Sequence, residues 1–372
     1  MTDDHEEESL ALLTEEDRDF VNRTERNYLI DPGWLTPKQV ATLSNDERAY
    51  RDWQLSLWHG AFPYVDTAQV RFASLQLGTV AASDPGAAAP LRAVSLLTGP
   101  PGTGKSTILQ HRAALLMKKA AQLRRIQLGR RANGLPVELE ALRGVFRPVV
   151  HISLLHSVTD KQLFTMLCRA LQWPAGDDPW GNFIGGAAAC GTQAVLIDEI
   201  QFIDFKYLAS RNVHNALKSI SNYGVRVVLC GHGVEAALEE TRKSVAFETA
   251  RDQSLGRWET IQIGRLEYGT EAERTDWADL LVQVEGRIRL SGHEPGERVL
   301  SGDLAEFLWV STKGYLNSLS TLVTKTIELA SLTKRQRLTE NLFEKLQVEK
   351  RSDRLRAERV ALWRSGKFDW RA

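Results

Sequence analysis

The stretch LLTGPPGTGKSTILQ, Leu96 to Gln110, constrains this chain more than any other. A short apolar run stops at Gly99, a turn of small residues follows, and Lys105 and Ser106 open a segment of helix-forming residues. Gly99, Pro100, Pro101, Gly102, Thr103, Gly104, Lys105 and Ser106 satisfy G-x-x-x-x-G-K-[ST] in full, with Thr107 next in line. Such a turn needs glycine because the backbone must approach a ligand closely and take dihedrals that side chains forbid. Its N–H groups point into one concavity, and the helix behind it adds unpaired N–H groups and the positive end of its dipole. The result is a phosphate cradle. Lys105 would reach β- and γ-phosphates, and the Ser106 hydroxyl would sit on Mg²⁺, so ATP and Mg²⁺ are the expected ligands.

The context around the turn predicts an α/β fold. RAVSLLTG, RPVVHISLL, TQAVLIDEIQ, VRVVLCGHG and WETIQIGRL read as five short buried strands. Helical stretches alternate with them: GKSTILQHRAALLMKKA, TDKQLFTMLCRALQW with a Thr/Asp cap, and LASRNVHNALKSISNY. Strands that are apolar throughout, rather than at every second residue, imply a parallel five-stranded sheet flanked by helices on both faces. Ahead of it, Thr36-Pro37 reads as an N-cap with a first-turn proline, and Ser44 with Glu47 as a capping box. The expected domains are a helical N-terminal region at 1–75, the nucleotide-binding α/β domain at 76–266, a helical lid at 267–333 and a charged tail at 334–372. From Lys334 the tail is expected to continue into solvent as a self-bridged helix, while Phe368-Asp-Trp370 would either dock a partner or pack back on its own domain.

A second element of a phosphate site should lie on another strand. Ala194-Val-Leu-Ile supplies the strand, and Asp198 and Glu199 emerge at its carboxyl end, where ligands of open parallel sheets bind. Asp198 would hold Mg²⁺ through water, and Glu199 would polarise the attacking water. The plainer alternatives are a pair of acids at a strand end, or Glu199 as the N-terminal residue of the next helix. His232, beyond the fourth strand in Gly231-His232-Gly233, could sense the γ-phosphate or simply be exposed. Arg257, before the fifth strand, could reach a neighbouring subunit's γ-phosphate, with Arg251 as second candidate and a surface salt bridge as the alternative.

Composition excludes more than it proposes. With 372 residues the chain has room for two or three domains, and 47 basic against 47 acidic residues leave its net charge silent about partners. No apolar run approaches the ~18 residues of a membrane span. The acidic start MTDDHEEESL lacks a basic n-region and an apolar core, so it does not read as a secretory signal. Cys168, Cys190 and Cys230 are scattered in apolar stretches, which argues against a disulfide framework or zinc site and for a reduced, cytoplasmic setting. One region is strongly basic: Lys118, Lys119, Arg124, Arg125, Arg130 and Arg131 fall close together with no acid before Glu138. Such a stretch could neutralise DNA phosphates or be a solvated helix face.

The order of elements (glycine turn, acid pair on the third strand, polar fourth-strand tip, arginine before the fifth strand, helical lid) resembles that of the AAA+ P-loop ATPases. Within them the chain is most similar to the TniB/TnsC group of transposition regulators. The resemblance runs over roughly residues 33 to 330. It rests on GPPGTGKST, RPVVHISLLHSVTDKQLFTMLCRALQWP, AVLIDEIQFI, VVLCGHGVEAAL, GRWETIQIGRLEYGTEAERTDWADLL and TKGYLNSLSTLVTKTIELA. It implies an ATPase whose subunits assemble head to tail on duplex DNA as a ring or helical filament, recruit a transposase and a target-selection adaptor, and come apart on hydrolysis. Arg257 would then act across the subunit boundary. The lid departs from the pattern: where many AAA+ proteins place a basic sensor, Lys313-Gly-Tyr-Leu-Asn317-Ser318 offers asparagine or serine unless Lys313 substitutes. A nucleotide-switch NTPase acting on a protein effector and a helicase-loader-like ATPase are the competing readings.

Overall fold

The structure, a computed structural model, describes residues 2–26, 29–78, 94–131, 145–203, 216–217, 219–233, 258–333, 336–347 and 355–370. Its elements divide into two compact units. The first comprises residues 1–26, 72–101 and 105–263, and the second residues 27–71, 102–104 and 264–372.

The first unit is built on five parallel strands, β1 (Val94–Thr98), β2 (Val149–Ser153), β3 (Ala194–Asp198), β4 (Arg226–Cys230) and β5 (Trp258–Gln262), in the order β2-β3-β4-β1-β5. Every residue of β1 and of β3 is buried, as the continuous apolar runs require of strands covered on both faces. Register follows the apolar pattern: Val94 and Leu96 pair with Val227 and Leu229 of β4, and Val195 pairs with Val150 of β2 and Val227 of β4. One face of the sheet packs on α7 (Asp160–Ala170) and α8 (Pro179–Cys190) through Leu163, Phe164, Leu167 and Phe183. Thr159 caps α7 in a reciprocal box with Gln162. Helix α6 (Lys105–Arg131) lies against β2, β3 and β4, and α1 (Thr2–Leu10) and α2 (Glu15–Glu25) lie along α6.

What ties the N-terminal helices down is a buried charge. Arg147 is 2% exposed and donates to Thr14 Oγ1, to Glu16 at 2.5 Å and to the Ala170 carbonyl, with Asp17 at 3.4 Å. Burial pushes the Asp17 carboxyl up to about 6, against the pull of Arg147.

The second unit is helical. It holds α3 (Pro37–Thr42), α4 (Asn45–Gly60), α9 (Glu271–Glu285), α10 (Ala305–Thr312), α11 (Leu316–Ser331), α12 (Glu340–Glu344) and α13 (Arg356–Arg364), while α5 (Ala68–Gln76) runs across the division of the chain. The expected caps are present. Thr36 and Ser44 both form reciprocal boxes, with Gln39 and Glu47. Trp277, Phe307, Leu308 and Trp309 are fully buried in its core, each side chain contributing about 1.5–3 kcal/mol by area removed from water. Gly314 is required where it stands: at φ +72° a Cβ would lie 1.9 Å from the Leu266 carbonyl oxygen.

The tail corrects the sequence reading. Rather than continuing into solvent, its described residues pack on this core. Phe343 is fully buried, Arg359 donates to the Val310 and Ser311 carbonyls, and the Trp370 ring lies 4.9 Å from that of Tyr268. Of the two fates open to Phe368 and Trp370, packing back is the one realised.

Candidate functional site

β1 runs out at Thr98, and the chain turns sharply before α6 begins at Lys105. Three glycines carry the turn: φ is +142° at Gly99, +83° at Gly102 and +89° at Gly104. Gly99 has no alternative, because a Cβ there would stand 1.9 Å from the Ile263 carbonyl oxygen. The turn is held on both sides. Ile263 N–H donates to the Thr98 carbonyl beyond β5, and Gly231 N–H donates to the Leu97 carbonyl beyond β4. Positive-φ glycines alternating with ordinary residues, leading into a helix N-terminus, turn neighbouring N–H groups into a nest suited to phosphate. Thr103 and Lys105 are buried, and Lys105 Nζ donates to the Pro100 carbonyl at 2.8 Å, so its charge is kept inside the turn. Ser106 is half-buried, whereas Thr107, Pro100 and Pro101 are exposed. In the second unit, Asn317 N–H donates to the Gly102 carbonyl at 3.0 Å, and Lys313 takes a left-handed conformation at the end of α10.

The acid pair lies at the end of β3. Asp198 is 5% exposed, and its Oδ1 accepts the Glu199 N–H at 2.8 Å. Glu199 adopts a left-handed conformation at φ +59°, an uncommon choice for a side-chain-bearing residue. It does not open a full helix; a single 3₁₀ turn, Ile200–Phe202, follows. At the end of β4, Cys230 reports how close these groups are. Burial raises its thiol far above the usual range, the neighbouring Asp198 carboxylate raises it further and accepts its hydrogen bond, and the Lys105 ammonium opposes both. Lys105, Asp198, Glu199 and Cys230 therefore share one electrostatic neighbourhood. His232 is exposed, and its backbone N–H donates to Gln201 Oε1 at 3.3 Å. The same Gln201 donates through Nε2 to Glu199 Oε2.

Within the first unit, Lys105, Asp198 and Glu199 thus stand together around Cys230, and the His232 backbone meets Gln201, which holds Glu199. Arg257 and Arg251 lie outside the described residues. Sequence reasoning passed over Gln201 and Cys230. The signal for Gln201 was its place two residues after Glu199, and for Cys230 its place at the end of an apolar strand.

Residues 91–237 match the family model described as AAA domain. Over these residues the chain carries an AAA domain. Among solved structures the chain is similar to the Aeropyrum pernix Orc1 protein in complex with DNA, at 18% identity and a TM-score of 0.48 over 76% of this chain and 65% of that one. It is also similar to AMPPCP-bound DnaA from Aquifex aeolicus, at 12% identity and a TM-score of 0.37 over 73% and 63%. A third is domain III of the Thermotoga maritima replication initiation protein DnaA, at 13% identity and a TM-score of 0.40 over 77% and 92%. The chain spans less than two thirds of the length of the first two. No curated protein matches the sequence.

The basic stretch behind the AAA domain's first helix turns out differently from a bare run of cations. α6 continues unbroken to Arg131. Lys118 pairs with Glu6 at 2.6 Å and Glu25 at 2.8 Å, and Arg125 pairs with Glu8 at 2.5 Å. Arg124 lies over the Phe146 ring at 5.9 Å, and Lys119 is exposed. No group of three His, Cys, Asp or Glu suited to holding a metal occurs among the described residues. No described helix is long and apolar enough to cross a membrane.

Proposed function

We propose that this chain is an ATP-dependent, DNA-binding AAA+ ATPase that assembles on duplex DNA and selects target sites or recruits a transposase in DNA transposition. The observation that carries the ATPase half is that Lys105, at the end of the glycine turn, shares the neighbourhood of Asp198 and Glu199. Backbone N–H groups of the turn bind the phosphates, and Lys105 neutralises their charge. The Ser106 hydroxyl and the Asp198 carboxylate are hard oxygen donors of the kind Mg²⁺ takes, and an ion that keeps most of its oxygens from phosphate and water needs no larger protein cage. Mg²⁺ held by these residues would supply positive charge that offsets the charge of the phosphates. Glu199 polarises the attacking water, His232 is offered as the residue that reads the γ-phosphate, and Arg257 is offered to a neighbouring subunit's site. The transposition half rests on the similarity of AVLIDEIQFI, VVLCGHGVEAAL and the lid segment to the TniB/TnsC group. A homo-oligomer, transposase and adaptor as partners, and a cytoplasmic setting follow from that reading.

Glu199→Gln should bind Mg-ATP yet lose turnover by about 100-fold or more, and trap oligomers on duplex DNA visible by electron microscopy. Wild-type turnover in that variant would remove Glu199 from its role. One observation favours a second reading, a nucleotide switch acting on a protein: Lys118 and Arg125 already have acidic partners within the chain. Titration of labelled duplex across a salt series separates the two. Affinity that falls steeply with salt supports the DNA reading, and indifference to DNA supports the switch.

A further inference from the structure

The position of Gln201 is not explained by phosphate binding, yet its side chain joins two separate strand ends. It lies half-buried in the turn after β3. Its Nε2 donates to Glu199 Oε2, and its Oε1 accepts the N–H of His232 beyond β4 at 3.3 Å. The contact is close-fitting from the other side as well: a Cβ on Gly231 would stand 2.6 Å from Gln201 Oε1. A primary amide can serve both loops at once because it carries a donor and an acceptor on the same rigid plane. Glu199, for its part, has a left-handed backbone and is followed by only one 3₁₀ turn, so helix packing does not fix its carboxylate.

We propose that Gln201 is a positioning residue of the ATPase site: its amide fixes the orientation of the Glu199 carboxylate and ties that orientation to the backbone of the Gly231–Gly233 turn. A shift of this turn, at the strand end where a terminal phosphate is to be read, moves Gln201 Oε1 and, through the plane of the amide, the donor that holds Glu199. The inference rests on the role proposed for Glu199 and adds the link that governs it.

Two variants separate the two hydrogen bonds. Gln201→Met keeps the length of the side chain and removes both. It should lower kcat by about tenfold or more while KM for ATP and the affinity for a non-hydrolysable analogue stay within about twofold, because orientation and not binding is lost. Without any nucleotide, amide hydrogen exchange in the peptide spanning His232 should quicken about fivefold, the worth of one hydrogen bond. Gln201→Glu keeps an acceptor for the His232 N–H but loses the donor to Glu199. Its exchange should remain at the wild-type level while kcat falls as in Gln201→Met. In a Glu199→Gln background, Gln201→Met should cost no further turnover. Wild-type kcat in Gln201→Met, unchanged exchange at His232, or a full additional loss in the double variant would each overturn the proposal. Those results differ from wild-type turnover in Glu199→Gln alone, which overturns the reading of Glu199 itself.

Discussion

The strand ends of the sheet unit and the core of the helical unit treat polar groups in opposite ways. In β3 and β4 of the sheet unit, apolar packing and chemistry are separated along the strand. β3 buries Ala194 to Ile197 and ends on Asp198 and Glu199, and β4 buries Val227 to Leu229 and ends on Cys230, Gly231 and His232. In the helical unit, polar and apolar groups are interleaved within one core. Arg356 and Arg359 are buried and donate to main-chain carbonyls, and the indoles of Trp277 and Trp309 donate to the Ala305 and Leu266 carbonyls. Buried polar groups must be paired, and in the helical unit each of these bonds closes a local account. At the strand ends the groups instead converge on one place, which is what a ligand site requires. The difference separates charges that hold the body together from charges that act on something else.

The largest test of that separation is Trp309→Ala. Trp309 is fully buried, its Nε1 donates to the Leu266 carbonyl at 2.9 Å, and its ring meets those of Tyr268, Phe368 and Trp370. Truncation should cost about 3–5 kcal/mol, read as a fall in the urea midpoint of the helical unit's transition. Lys105→Ala should do the reverse. Affinity for Mg-ATP measured by calorimetry should fall by about 100-fold or more, while the unfolding midpoint without nucleotide does not fall, since removing a buried charge spares its desolvation. A loss of stability in Lys105→Ala matching that of Trp309→Ala would show that the strand-end charges are structural after all.

The helical unit also predicts a pH dependence. His59 is buried, its Nε2 accepts the Arg289 N–H at 3.0 Å, and burial first, then Arg289, Arg287 and Arg51, push its imidazolium down to about 4. An unfolded histidine titrates near 6.5, so between these values the unfolded chain binds the extra proton and the folded one does not. The stabilising contribution is therefore complete above about pH 6.5 and is lost as pH falls toward 4, by at most about 3–4 kcal/mol. His59→Gln should flatten the unfolding midpoint over that window; an unchanged slope would place the titrating group elsewhere.

The same separation decides what could be read from sequence. The glycine turn, the five strands and the acid pair were legible because each is a contiguous run whose residue types are forced by local geometry, and so were the caps at Thr36, Ser44 and Thr159. α8 was not. Its sequence PWGNFIGGAAAC is rich in glycine and alanine and lacks a charged face; Asp178 caps it, Pro179 stands in its first turn, and Gly186 lets the Trp173 ring approach where a Cβ would lie 2.7 Å away. The tail misled because its surface charges outnumber the few residues that anchor it, among them Phe343, Val360 and Trp370. Gln201 was hidden for another reason. Its partners lie 2 and 31 positions away in sequence, and only the sheet order makes them neighbours.

The smallest test compares two matching caps, one from each unit. Thr159 and Gln162 open α7, and Thr270 and Glu273 open α9, each as a reciprocal box. Replacing either threonine by alanine should cost about 1 kcal/mol at neutral pH. The two should part company in acid. Glu273 accepts the Thr270 N–H, and that bond holds its carboxyl below the usual range, so its share of the cap is present above the unfolded carboxylate pKa and disappears as pH falls through the folded value. Gln162 has no proton to gain. Thr159→Ala should therefore lose the same stability from pH 7 to pH 3.5, whereas the loss in Thr270→Ala should shrink by a fraction over that range, because the bond from the Thr270 hydroxyl to Glu273, which alanine cannot make, weakens as Glu273 protonates. Parallel pH profiles for the two variants would mean that the charge at Glu273 adds nothing beyond the hydrogen bond a neutral side chain makes in the same place.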